Sequence, residues 1–137
     1  MPHFIVEYTD NLGPEADIPG FLRKVNQVLI AQNGVYPTGG IRARAVKLTD
    51  YCVADDTEDD AFVHATFKYG AGRTEATTKR TADALFEMMK AHFADIFAKR
   101  YLALSMELYE FDEAGTYKHN NIHARYKKAA EKAKAAV

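Results

Sequence analysis

Phe4-Ile5-Val6-Glu7-Tyr8 and Phe62-Val63-His64-Ala65-Thr66 are the two stretches on which the fold turns. Each mixes β-branched and aromatic residues in a short run, the pattern of a strand. The first lies within His3 to Tyr8 and ends in Thr9-Asp10-Asn11; the second lies within Ala61 to Tyr69 and closes on Gly70-Ala71-Gly72-Arg73. The two occupy matching places in a repeated order. After the first, Pro19 suits an opening helical turn, and Ile18, Phe21, Leu22, Val25, Val28 and Leu29 recur at helical spacing towards Gly34. After the second, Thr74 is placed to cap a helix in which Ala82, Leu85, Met89, Phe93 and Ile96 recur down to Lys99.

Each helix leads to another strand. Beyond the turn Tyr36-Pro37-Thr38-Gly39-Gly40, Ile41 to Val53 reads as one long strand, with Arg42 and Arg44 on the same face because side chains alternate. Tyr101 to Glu110 alternates Leu102, Leu104, Met106 and Leu108 against Tyr101, Ala103, Ser105, Glu107 and Tyr109. The sequence thus predicts one domain over residues 1–137, of α+β, two-layer class. It consists of duplicated βαβ units, about 2–53 and 61–110, that form a four-stranded sheet with two helices on one face. The other face, expected to be apolar, is left uncovered and invites association. A chain this short has little room for a deep pocket, so a small-molecule site is expected between subunits. Residues 124–137 are an Ala/Lys-rich tail without a strong apolar stripe, expected to be exposed or frayed.

Composition bounds the partners. With 47% hydrophobic and 27% charged residues, and no apolar run long enough to cross a bilayer, membrane and disordered classes drop out. Eighteen basic residues against nineteen acidic ones leave a formal charge of −1, which argues against nucleic-acid binding. That total hides an acidic loop from Asp50 to Asp60, with six carboxylates and no base, and a basic tail from His123 onward. The loop lacks the pattern of a calcium-binding loop and is expected to be solvated. A single cysteine, Cys52, cannot form an intrachain disulfide, and no basic-then-apolar leader opens the chain, so a cytoplasmic location is expected.

The candidate chemistry begins at Pro2. A proline amine leading straight into an interior strand would be a secondary amine in a fixed, partly desolvated place, and burial or nearby cations would lower its pKa towards the range useful for a base. Arg42, Arg44 and Arg73 are the candidate cations. Arg73 stands at a glycine-rich strand-to-helix junction, where backbone N–H groups favour an anion and the guanidinium fork matches a carboxylate. Two arginines and an amine base suit a dicarboxylate. His119 and His123 share a spacing that fits a helical face but lack a third ligand, so no metal is expected. His3 and His64 are expected to be packed or hydrogen-bonded within strands. No phosphate loop, serine elbow or Cys/His nucleophile pattern is present.

Pro2-His3-Phe4-Ile5-Val6-Glu7, Gly40-Ile41-Arg42-Ala43-Arg44, Phe62-Val63-His64 with Gly70-Ala71-Gly72-Arg73, and Leu104-Ser105-Met106-Glu107 with Asn120-Asn121-Ile122-His123 together resemble the 5-carboxymethyl-2-hydroxymuconate isomerases. That family belongs to the tautomerase superfamily, whose hallmark is a catalytic amino-terminal proline. The resemblance covers the chain to about Arg125. It implies a tautomerase-like homotrimer that works without metal or organic cofactor on a dicarboxylate or tricarboxylate in homoprotocatechuate degradation. Pro2 matches the catalytic proline after removal of Met1, Arg42 the strand arginine, and Arg73 the arginine of the glycine turn, with Arg44 a further substrate-binding candidate. The implied reaction is a 1,3-proton shift from a dienol to a 2-oxo-3-ene product. Two other readings stand beside it: a related tautomerase activity on another 2-oxo acid, and a non-catalytic trimeric ligand-binding protein on the same fold.

Overall fold

The computed structural model describes residues 1–135. Its sheet has four strands, β1 (His3–Thr9), β2 (Arg42–Leu48), β3 (Ala61–Gly70) and β4 (Leu102–Phe111), in the order β2-β1-β3-β4. β1 runs parallel to β2, β3 parallel to β4, and the two pairs meet antiparallel through β1 and β3. Four helices accompany it: α1 (Ile18–Ile30), α2 (Glu75–His92), α3 (Ala94–Lys99) and α4 (Ile122–Ala135). The two-layer α+β class expected from the sequence is therefore the observed one.

Alternation sorts the strand residues between two environments. Phe4, Val6, Val63, Ala65 and Phe67 point under the helices and are buried, together with Phe21, Val25 and Leu29 of α1 and Leu85 and Met89 of α2. Aromatic rings lock these layers edge to face or tilted, with Phe21 5.9 Å from Phe4 and 5.1 Å from Phe93 between centroids. Tyr36 is buried beside Phe67 and satisfies its hydroxyl by donating to Thr81 Oγ1 at 3.1 Å. The cap expected at Thr74 forms, and Asp17 supplies a second that the sequence reading did not name. Asp17 accepts from the N–H of Gly20 ahead of Pro19's turn, and Thr74 accepts from that of Thr77.

Four sequence expectations change. The strand begun at Ile41 stops at Leu48 rather than Val53, because Leu48 pairs with Thr9, the last residue of β1, and the ladder has no further partner. The second long helix divides at Phe93, whose ψ of 10° bends the chain so that Phe93 and Ile96 are both buried. The uncovered sheet face is mixed rather than apolar: His3, Glu7, Arg44, His64, Thr66, Lys68, Ser105 and Glu107 share it with Ile5, Val46, Phe62 and Tyr109, and His64 bonds to Ser105 at 2.7 Å. The acidic loop is exposed over Ala54–Asp59, but its far end is tied down, since Asp59 accepts from Asn11 at 3.0 Å and pairs with Arg100 at 3.2 Å. The tail is exposed as expected, yet helical through Ala135; Ala136 and Val137 lie outside the described residues.

Candidate active site

The topology brings four strand ends to one end of the sheet. β1 and β2 begin where β3 and β4 end, because the two parallel pairs are joined antiparallel and His3 lies opposite Lys68. Pro2, Arg42, Arg73 and the segment after β4 therefore meet although they are far apart in sequence. Pro2 is buried, and its carbonyl accepts from the N–H of Arg42 at 3.2 Å, which extends the β1–β2 ladder by one step.

Arg42 is half-buried and donates through Nη1 to the carbonyl of Gly40 at 2.9 Å and to the thioether of Met1 at 3.2 Å. The floor below is Gly39-Gly40. A Cβ on Gly39 would stand 2.8 Å from the backbone nitrogen of His123, and one on Gly40 would stand 3.1 Å from Cγ of Met1. Only glycine lets the start of α4 and the first residue approach this closely. Asn120 pins the same corner: its amide donates to Gly39 O at 3.1 Å and lies 3.7 Å from Met1 Sδ, and its carbonyl oxygen accepts from the N–H of Ile122 at 2.7 Å.

Arg73 follows Gly72, whose φ of +112° turns β3 into α2. Its guanidinium donates to Gly70 O at 2.9 Å and Val35 O at 3.1 Å and lies over the ring of Tyr36 at 4.5 Å. Its Nε is buried without a partner. Among the described residues neither Arg42 nor Arg73 is paired with a carboxylate, so both keep their charge available. The nearby carboxylate, Glu113, lies over Gly70 and pairs instead with Lys118 at 3.1 Å.

The electrostatic consequence is visible on the terminal amine. The Met1 ammonium is held below its ordinary value first by burial, then by Lys118 and Arg73, with Glu113 opposing and Arg42 adding to the depression. His3 is likewise held below its usual value by burial and then by Arg44 and Arg42. With Met1 in place the nitrogen of Pro2 is an amide and has no basicity. Met1 itself fills the space between Arg42, Asn120 and Gly40. A chain beginning at Pro2 would expose a secondary amine and empty that space together. Surroundings that disfavour an ammonium favour a neutral amine and attract an anion, which is what proton abstraction from an acidic substrate needs.

Of the residues singled out in the sequence, Pro2, Arg42 and Arg73 are brought together. Arg44 is not in that group. It is exposed on the open sheet face, 3.1 Å from Nδ1 of His3, beside a shallow pocket of about 270 Å³ that Lys68 and Tyr109 also line. His123 packs on Gly39, and among the described residues no three of His, Cys, Asp and Glu gather as a metal site. Sequence reasoning about chemistry missed Lys118, Glu113 and the Gly39–Asn120 contact. Gly39-Gly40 was read as a turn and His123 as a metal-ligand candidate, Asn120 entered through the family resemblance, and their pairing across the fold left no local periodic signal. No helix of the described residues is long and apolar enough to cross a membrane.

Comparison with solved structures establishes the class first. A structure described as "Q0 fused 4-OT wild type symmetric trimer" superposes with a TM-score of 0.62 at 18% identity, over 89% of this chain and 98% of that one, a likeness of fold. A 5-carboxymethyl-2-hydroxymuconate isomerase from Deinococcus radiodurans R1 superposes with a TM-score of 0.87 at 55% identity, over 91% of this chain and 93% of that one. The fold is thus of the tautomerase type. The 5-carboxymethyl-2-hydroxymuconate Delta-isomerase of Escherichia coli is 45% identical over 127 residues, 93% of this chain and the whole of that protein. The family model for 5-carboxymethyl-2-hydroxymuconate isomerase matches residues 2–126, and the chain belongs to that family of isomerases.

Proposed function

We propose that the chain, shortened to Pro2, isomerises 5-carboxymethyl-2-hydroxymuconate by a 1,3-proton shift, with Pro2 as the base. The Pro2 amine takes the proton from the 2-hydroxyl of the dienol, the electron pair moves through the conjugated system, and a proton is returned at C5 to give the 2-oxo-3-ene product. Atoms and charge balance with no external co-reactant. Arg42 and Arg73 bind carboxylates and stabilise the negative charge that grows on the 2-oxygen. Arg44, beside His3 on the open sheet face, adds positive charge to the substrate's approach from outside that cluster.

The observation that carries this reading is the convergence of the buried amino terminus with two arginines free of carboxylate partners. The open sheet face, on which Ile5, Val46, Phe62 and Tyr109 stand uncovered by any helix, supports a homotrimer of this chain, in which neighbouring copies would close the site. The matching strand–helix–strand halves support their origin by duplication within a single domain. An unpaired, exposed cysteine suits a reducing cytoplasm.

Intact mass and ultraviolet decay of the dienol test the mechanism together. The protein lacking Met1 is expected to be active and the protein retaining it inactive. Turnover by a chain in which Met1 is still bonded to Pro2 would overturn the proline base.

A further inference from the structure

We propose that Lys118, carried to the site by the connector after β4, forms a third carboxylate subsite and with Asn120 sets a preference for tricarboxylates over dicarboxylates. The inference rests on the muconate reading above. The compound named by the family carries two muconate carboxylates and a third on its carboxymethyl arm, whereas the sheet supplies only Arg42 and Arg73 at the amine.

The connector has the geometry to supply the third cation. A 3-10 turn at Glu113–Gly115 folds the chain back over the sheet end, closed by Thr116 N–H donating to Glu113 O at 3.0 Å and by its hydroxyl donating to Asp112 O at 2.8 Å. That fold places the Glu113 carboxylate over Gly70 and Lys118 Nζ 3.1 Å from its Oε2. Five residues after Lys118, His123 is seated on Gly39, so the connector is fixed at both ends. Asn120, two residues from Lys118, reaches the side chain that fills the candidate substrate space. Of the charges that depress the Met1 amine, that of Lys118 weighs more than that of either arginine.

Glu113 is a replaceable partner. Both members of the pair are about half exposed, 46% for Lys118 and 54% for Glu113, and such a pair is weak. A substrate carboxylate arriving at Lys118 takes over as counter-ion. A flexible ammonium also suits a carboxylate on a freely rotating methylene better than a rigid guanidinium fork does.

The test is Lys118→Met in the chain processed to Pro2, assayed on 5-carboxymethyl-2-hydroxymuconate and on 2-hydroxymuconate. The ratio of kcat/KM for the triacid to that for the diacid should fall by about tenfold, through KM, the scale of one charge-assisted contact. Lys118→Arg should restore most of it. An unchanged ratio, or an equal loss on both substrates, overturns the subsite. A wild-type protein that turns over neither muconate removes the functional reading instead. The subsite is then read calorimetrically, with propane-1,2,3-tricarboxylate against glutarate: a preference for the triacid that Lys118→Met abolishes supports it, and no preference in the wild type overturns it.

Discussion

Arg73 and Arg100 stand at opposite ends of the sheet and are built almost alike. Each is half-buried, donates to two main-chain carbonyls and leaves Nε buried without a partner: Arg73 on Gly70 and Val35, Arg100 on Asn11 and Asp59. The difference is the third neighbour. Arg100 meets the carboxylate of Asp59, whereas Arg73 meets the ring of Tyr36. One charge is neutralised and staples the acidic loop to the first strand's exit; the other is kept. A cation left uncompensated away from bulk water costs stability, and such departures from local rules mark functional sites. Size is a poorer guide than charge, since a hollow of about 560 Å³ lined by Phe97, Arg100 and Tyr101 lies at the neutralised end.

The sharpest break between the two ends is expected at Pro2. Pro2→Ala should lower kcat by about a hundredfold to ten-thousandfold, the usual share of a positioned base, with the oligomer unchanged by sedimentation. Next comes the arginine pair itself. Arg73→Ala should cost about a hundredfold in kcat/KM, comparable to removing one preorganised donor. Arg100→Ala should leave turnover largely intact and lower denaturant stability by about 1–3 kcal/mol, the penalty for buried carbonyls losing their donors. Equal losses of turnover in both variants would erase the distinction.

A smaller effect probes the tail side of the site. Gly39→Ala puts a methyl group 2.8 Å from the backbone nitrogen and 2.9 Å from Cα of His123, so α4 must shift. Expected outcomes are a stability loss of about 1–3 kcal/mol, faster proteolysis within α4 and a raised KM. Smallest is a pH effect at His3. Its folded pKa lies below the unfolded value of 6.5, so the unfolded chain binds the proton more readily. The contribution of neutral His3 is present above that pH and is lost as pH falls through the folded value. His3→Gln should therefore flatten the decline in stability between neutral and mildly acidic pH, and an unaltered slope would assign that decline to other groups.

Much of this was legible from pattern alone. Alternation in Phe4–Tyr8 and Phe62–Thr66 and the helical spacing of Phe21, Val25 and Leu29 report local periodicity, and the sheet with its covering helices follows from them. The end of β2 was not legible, because it depends on where its neighbour β1 stops. The break at Phe93 was hidden for a similar reason: neither glycine nor proline marks it, and tertiary packing makes it. At the site, Pro2 and Arg73 carried local signals, a position in the chain and a glycine turn. Lys118 and Asn120 had none, since the relevance of Asn120 comes from its contacts with Gly39 and Met1 across the fold, and that of Lys118 from the turn that sets it on Glu113 at the same end of the sheet.

Helix α4 packs on Gly39 through His123 in its first turn, and its described residues beyond that are exposed. Fourteen residues at 1.5 Å each carry its far end about 20 Å from the Gly39 anchor. The molecule thus has an arm whose base packs on Gly39 beside the candidate site and whose tip is exposed. A fluorophore on Lys134→Cys would ride that tip and report any tilt of the base as a change in anisotropy. Cys52 is the single cysteine of the chain and is exposed, so it would compete for the label and must first become serine.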